Sequence, residues 1–216
     1  MEKTMFVVGA GKGLGNAVAC KFGAEGFHVV LMCRSAAHLA SYQKEMQSQK
    51  FKVETQLIDT ADQTSLVAAM QQAVQTYGAP DVLFYNVGMT VADKELASSI
   101  NANIMRHRYQ VDVLGAYTCI QQVLNEEFRQ KQGAILITGG GLAMYPSADY
   151  LSLSMDKAAL RAMVIALHPV YEAQGVFLGT VQVCHTIGSS EAYMPEKIAD
   201  QFWKLYQNRT AAEIIY

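Results

Sequence analysis

Short runs of consecutive apolar residues alternate along the chain with longer segments whose apolar residues recur every three or four positions. The apolar runs at 5–8, 28–33, 81–85, 134–138 and 176–183 lack the polar–apolar alternation of a half-exposed strand. They predict strands buried on both faces. A further candidate strand is 51–58. The intervening periods predict helices over 14–25, 35–49, 65–77, about 100–130, about 150–173 and 195–206. Ser35 and Asp62 stand where an N-cap belongs, and Gly26 and Gly78-Ala79-Pro80 stand where helices end. Residues 213–216 are a candidate seventh strand, and 89–99 is a polar stretch without a period. Strand and helix alternating through short connections predict an α/β fold. The expected form is a doubly wound parallel sheet of about seven strands with helices on both faces.

Composition narrows this picture. The 216 residues are 51% hydrophobic and 17% charged, which fits one globular domain over 1–216. The net charge of −2, with both signs scattered, leaves no electrostatic footprint for nucleic acid or an anionic membrane. Arg106-His107-Arg108 reads as a solvated helix face. Cys20, Cys33, Cys119 and Cys184 lie far apart with no CxxC pair. They read as small buried apolar residues of a reduced, cytoplasmic protein, without a disulfide frame or a metal site. No signal segment is expected before the first strand, and no apolar stretch is long enough to span a bilayer.

The first chemistry lies in Val7-Val8-Gly9-Ala10-Gly11-Lys12-Gly13-Leu14-Gly15. A strand precedes this turn and a helix follows it. Backbone N–H groups at a helix N-terminus, aided by the helix dipole, favour an anion. Gly9, Gly13 and Gly15 allow a sharp turn and close approach of a pyrophosphate, so the sheet is expected to be Rossmann-type and to bind a dinucleotide. A purely structural glycine turn is the alternative.

With these pieces in order, the sequence resembles the short-chain dehydrogenase/reductase family over nearly the whole chain. Gly9, Gly13 and Gly15 match the family's TGxxxGxG pattern, with Val8 where Thr is usual. Asp59, after the third strand, stands where the family places an Asp against the adenine. Asn86-Val87-Gly88 resembles the end of its NNAG segment, Lys157-Ala158-Ala159-Leu160 the end of its YxxxKAAL helix, and Pro195-Glu196-Lys197-Ile198-Ala199 the start of its last helix. The resemblance implies a cofactor site made of Gly9, Gly11, Lys12, Gly13, Leu14, Gly15, Arg34, Asp59, Asn86, Gly88 and Lys157. A carboxylate at the end of the second strand would bind an NAD ribose. Cys33-Arg34 stands there instead, and with Lys12 it supplies positive charge suited to a 2′-phosphate, so NADP is expected over NAD. A strand-end Arg34 and a solvated Lys12 would be the plainer reading.

The catalytic positions depart from the resemblance. The family uses a Tyr as proton donor or acceptor and a Lys four residues later that holds the ribose and lowers the tyrosine pKa. A Ser and an Asn complete the set. Lys157 is present, but Leu153, Gly140 and Asp112 occupy the Tyr, Ser and Asn positions. Tyr150, two helical turns before Lys157, is a candidate relay, and packing at the helix start is its alternative. Asp112 is either a buried acid/base group or a structural carboxylate that caps a kink or pairs with a cation. His185 stands where the family has a Pro-Gly turn, either as a donor or as a plain loop residue.

Ligands of open α/β sheets bind beyond the carboxyl ends of the strands. Met89, Leu142, Met144, Tyr145, Tyr150 and Tyr193 are expected to wall that edge, which suits a small apolar carbonyl compound. The segment at 185–194 is shorter than the family's usual lid, so an open or shallow site is expected. The resemblance also implies a homodimer or homotetramer through the helices at 100–130 and from 150 onward, although core packing gives the same apolar pattern. Three functional readings follow. The first is an NADP-dependent oxidoreductase with a non-standard proton relay. The second is an NADP-binding protein with impaired turnover, acting as a redox sensor or partner subunit. The third is a binder of another nucleotide on the same scaffold.

Overall fold

The structure, a computed structural model, describes residues 2–216. Seven parallel strands form one sheet: β1 (Thr4–Val8), β2 (His28–Cys33), β3 (Val53–Leu57), β4 (Val82–Tyr85), β5 (Ala134–Thr138), β6 (Phe177–Gln182) and β7 (Glu213–Ile215). Their spatial order is β3-β2-β1-β4-β5-β6-β7. The chain runs outward from β1 to β3, returns to the middle at β4, and runs out the other way. This reversal leaves a crevice between the ends of β1 and β4.

The buried runs supply both faces of the sheet. Met5, Val7, Val29, Leu31, Val82 and Phe84 point into one core, with α1 (Leu14–Ala24), α2 (Ala36–Ser48) and the last helix, Pro195–Asn208. Phe6, Val8, Val30, Met32, Leu83 and Tyr85 point into the other core, covered by α3 (Gln63–Tyr77) and the helical segments at 115–123, 126–130 and 151–172. The period of two along a strand divides the residues between the faces. On the first face Phe22 of α1 meets Phe27, Trp203 and Tyr206 edge-on at 5.0–5.4 Å, which locks α1 to the last helix. Ser35 accepts from the His38 N–H and Asp62 from those of Thr64 and Ser65, as caps.

The helical region expected over 100–130 is not one helix. It comprises α4 (Ala102–Tyr109), a π-turn over Gln110–Leu114, α5 (Gly115–Val123) and α6 (Glu126–Gln130). The chain turns at Leu124, and Asn125 restarts it by accepting from the Phe128 N–H at 2.9 Å. The π-turn frees the Val111 carbonyl, which accepts a hydrogen bond from the Tyr85 hydroxyl of β4. A π-turn arises where a helix is diverted locally, often beside a functional site.

The helix expected from Tyr150 begins one residue later. It is α7 (Leu151–Glu172), preceded by a 3-10 turn over Ala148–Tyr150; the last helix is α8 (Pro195–Asn208). Arg108 is not on a solvated face, as its neighbours Arg106 and His107 are. It is buried and reaches Asp93 at 3.5 Å, because α4 turns this position inward toward the loop after β4. Among the described residues no helix is long and apolar enough to cross a membrane.

Candidate active site

The glycine turn lies at the β1–β4 crevice. Gly9 has φ +90°, and a Cβ there would fall 2.8 Å from the backbone of Asn86 and Val87. A Cβ on Gly15 would fall 2.6 Å from the Gly9 carbonyl. These two glycines therefore bring strand ends and helix together. Gly13 has φ +124°, and a Cβ there would face open space. It precedes α1 with no side-chain cap and no acidic residue in the first turn. The N–H groups of Gly11, Gly13, Leu14 and Gly15 have no acceptor among the described residues. Unsatisfied donors at a helix N-terminus form a cradle that fits a phosphate group. Lys12 is exposed beside it, its N–H donated to the Tyr42 hydroxyl.

One other residue of the expected cofactor set fixes the crevice itself. Asn86 donates from Nδ2 to the Gly9 carbonyl at 3.1 Å and accepts at Oδ1 from the Thr138 hydroxyl at 2.8 Å, which ties β1, β4 and β5. Arg34 and Asp59 line a separate groove at the ends of β2 and β3, with Ile58 and Ser65. Asp59 accepts from the Ala61 N–H at 3.0 Å, which holds that turn.

Beyond β5 and β6 opens a cleft of about 640 Å³. Lys157, Tyr150, Leu153 and Gly140 line it, as do Leu142, Tyr145, Cys184 and His185. Of the expected apolar wall, Leu142, Tyr145 and Tyr150 are in place. Met89, Met144 and Tyr193 are not part of the lining. Tyr193 instead stacks between His185 and Tyr216, at 4.7 and 5.3 Å between ring centres. That stack fastens the short 185–194 segment to the chain's last residues. Tyr150 sits at the start of α7, and its carbonyl accepts from the Ser154 hydroxyl.

The three glycines after β5 are not equivalent. A Cβ on Gly139 would strike the Gln182 side chain at 2.3 Å, and one on Gly141 would strike the Cys184 Cα at 2.9 Å. A Cβ on Gly140 would only touch the Lys157 stem at 3.6–3.8 Å. Position 140 therefore accepts a Cβ where the other two glycines do not.

Lys157 is 6% exposed and donates from Nζ to the Thr138 carbonyl at 2.7 Å. Burial pushes its ammonium pKa down, while Asp112 and Asp156 push it up. Asp112 lies in the π-turn and is fully buried, and both its oxygens accept from the Met89 N–H at 3.2 Å. Burial raises its pKa against the opposing pull of Lys157, the Met89 N–H and Arg108. Gly88 lies beside both: a Cβ on it would lie 3.6 Å from Lys157 Nζ and 3.8 Å from Asp112 Oδ2. The buried Asp112 carboxylate is not part of the cleft lining, which Lys157 joins. Among the described residues no group of three or more His, Cys, Asp or Glu side chains could hold a metal.

This geometry meets the comparisons with known proteins. A family model described as short chain dehydrogenase matches residues 3–192. The chain belongs to the short-chain dehydrogenase family. Similar curated members include a 3-oxoacyl-[acyl-carrier-protein] reductase of Thermotoga maritima, 24% identical over 168 residues, with 74% of this chain and 65% of that protein covered. A 2,3-dihydro-2,3-dihydroxybenzoate dehydrogenase of Escherichia coli is 24% identical over 174 residues, covering 81% and 65%. A diacetyl reductase of Staphylococcus epidermidis is 26% identical over 163 residues, covering 75% and 63%. The chain thus spans just under two thirds of the length of these relatives. Among solved structures, an alcohol dehydrogenase of the archaeon Thermococcus sibiricus with 5-hydroxy-NADP superposes with a TM-score of 0.86 at 18% identity, covering 100% of this chain and 96% of that one. A metagenomic short-chain oxidoreductase with NADP gives 0.88 at 21% identity, covering 99% and 96%. The seven-stranded Rossmann sheet is thereby that of the family.

Sequence reasoning missed Asp156. It precedes Lys157 on α7 and is 2% exposed, and its Oδ2 has no partner among the described residues. A charged residue on a helix flanked by Leu153 and Leu160 was the available signal.

Proposed function

We propose that this chain is an NADP-dependent oxidoreductase that interconverts a small carbonyl compound and its alcohol, with a proton relay unlike the family's usual one. The observation that carries it is the uncapped glycine turn, with four N–H donors free of protein acceptors. When bound, the nicotinamide cofactor supplies or accepts a hydride. In this reading Gly11 to Gly15 hold the pyrophosphate, Arg34 and Lys12 attract the 2′-phosphate, and Asp59 meets the adenine. Asn86 and Gly88 shape the crevice, and Lys157 holds the nicotinamide ribose. The two solved neighbours carrying NADP-type ligands support this choice of cofactor. Tyr150 faces the same cleft as Lys157 and is one source of the proton.

The cleft's Leu142, Leu153 and Ile187 favour an apolar substrate, and Tyr145 and Tyr150 favour one with a flat group. Ile104, Tyr109, Leu114, Tyr117, Met155 and Ile165 are exposed on α4, α5, α7 and the π-turn, which supports a homodimer or homotetramer through those helices. One observation favours a second reading. Leu153 and Gly140 carry no hydroxyl to orient or protonate a substrate oxygen. That suits an NADP-binding sensor or partner subunit with little turnover.

Titration with NADPH and NADH, followed by aldehydes and ketones watched at the nicotinamide absorbance, separates these readings. NADPH is expected to bind the tighter, and Arg34→Ala to weaken NADPH by about tenfold or more while sparing NADH, as for loss of a charge-assisted bond of roughly 1.5–3 kcal/mol. Equal affinity for both cofactors would remove the assignment of NADP. Tight NADPH binding with no carbonyl reduced would leave the second reading.

A further inference from the structure

Beneath the cleft, between α4, the π-turn, the start of α7 and the loop after β4, five charged side chains are buried together. Arg108 donates to the carbonyls of Met89 and Val91 at 3.0 and 3.1 Å and faces Asp93 at 3.5 Å. Asp93 accepts from the Ser152 N–H at 3.0 Å. Asp112 lies in the π-turn, and Asp156 and Lys157 follow one another on α7. Three carboxylates face two cations, and neither Asp112 nor Asp156 forms a direct ion pair with Lys157 among the described residues. Burial at this density disfavours a full set of ionised carboxylates, so one of them keeps a proton.

The hydrogen bonds identify which one. Asp93 is paired with Arg108 and the Ser152 N–H, and Asp112 has the Met89 N–H. Asp156 Oδ2 has no donor at all. Ser152 Oγ, one helical turn before it, Arg108 Nε and Asp93 Oδ1 are also buried without hydrogen-bond partners, but Asp93 keeps its ion pair with Arg108 and the Ser152 N–H on its other oxygen. Buried polar atoms clustered in this way are what an internal water satisfies. Lys157 alone of the five reaches the cleft.

We propose that Asp156 is a positioning residue for the cleft: it stores a proton behind Lys157 and, through one internal water, returns it to that lysine, which serves as the proton donor in place of the family's absent tyrosine. This rests on the oxidoreductase reading. In the reducing direction the carbonyl carbon gains a hydride, its oxygen takes a proton from the Lys157 ammonium, and the neutral amine recovers one from the Asp156 carboxylic acid. The carboxylate is then reprotonated by solvent, so each turnover takes up one proton.

The electrostatics agree. Burial, then Asp112 and Asp93, push the Asp156 pKa up to about 7 against Arg108 and Lys157. Because the folded value lies above the usual carboxylate range, the linked stability is full at acid pH and is lost as pH rises through about 7.

The test follows the carboxyl carbons of aspartate and the Lys157 side chain by NMR from pH 4 to 9, in the wild-type chain and in Asp156→Asn. One aspartate is expected to titrate near neutrality, with the Lys157 signal following the same midpoint. Both transitions should vanish in Asp156→Asn, whose amide imitates the protonated acid. Asp156→Glu should restore a shifted midpoint. With turnover detected, kcat/KM for carbonyl reduction should fall above that midpoint in the wild type and lose this inflection in Asp156→Asn. An Asp156 that titrates in the ordinary carboxylate range, or a Lys157 signal indifferent to residue 156, overturns the proposal. Asp156→Ser provides the same comparison should the Asn variant fold poorly. Failure to bind NADPH would overturn the oxidoreductase reading instead, because the NMR coupling is read without cofactor.

Discussion

Three single glycine-to-alanine changes separate what folds the turn from what binds there. At Gly9 the added Cβ meets two obstacles. The φ of +90° is one that L residues rarely adopt, and backbone atoms of Asn86 and Val87 lie 2.8 Å away. The first costs roughly 1–3 kcal/mol and the second a similar amount, because backbone cannot give way as a flexible side chain does. At about 2–4 °C per kcal/mol for a chain of this size, Gly9→Ala should lower Tm by about 4–24 °C. At Gly13 only the φ of +124° opposes the change, since nothing lies within 4 Å. That is about 1–3 kcal/mol, or about 2–12 °C. The new methyl group would, however, take up open space at the turn that the proposed pyrophosphate needs, so NADPH affinity should fall at least about tenfold. At Gly11 the Cβ finds only the Gly9 carbonyl at 3.9 Å and φ is unexceptional. Gly11→Ala should leave Tm unchanged or raise it by up to about 4 °C, for a stabilisation of up to about 1 kcal/mol. Thermal denaturation and fluorescence titration with NADPH measure both quantities on each variant. A Gly9→Ala chain that melts no lower than Gly11→Ala would refute the packing argument. A Gly13→Ala chain that binds NADPH like the wild type would refute the placing of the pyrophosphate on this turn.

The strands were legible because parallel strands covered on both faces need unbroken apolar runs, and Val29 to Met32 or Ile135 to Ile137 have no other reading at that length. The glycine turn was legible because local backbone geometry demands those residues. What escaped reading depends on partners distant in sequence. The π-turn exists where the Tyr85 hydroxyl, 26 residues earlier, takes the Val111 carbonyl, and no local pattern encodes that bond. Arg108 looked like part of a basic surface because its acceptors, the carbonyls of Met89 and Val91, belong to a stretch without periodicity. The triplet Gly139-Gly140-Gly141 reads as uniform flexibility. Only the neighbours reveal that Gln182 and Cys184 require two of the glycines and that Lys157 merely touches the third.

Tyr85→Phe should cost about 1–3 kcal/mol, the penalty for leaving the buried Val111 carbonyl without its donor, and should relax the π-turn. Denaturant unfolding measures the loss, and a variant as stable as the wild type would show that the turn persists without this bond. The last prediction concerns the absent hydroxyls. Gly140→Ser is accommodated, because its Cβ would make ordinary contact with the Lys157 stem, and Leu153→Tyr places a phenol one helical turn before Lys157, beside a cleft of about 640 Å³. A positioned general acid contributes about 10²–10⁴-fold. Part of that is already supplied if Lys157 and Asp156 deliver the proton, so the double variant should reduce carbonyl compounds about tenfold to a hundredfold faster than the wild type. It should also lose the pH inflection tied to Asp156, since the phenol now faces the substrate oxygen. A gain beyond a thousandfold would mean that the wild-type cleft has no effective acid, which favours the sensor reading. A folded, NADPH-binding double variant with no gain would show that neither hydroxyl limits the reaction.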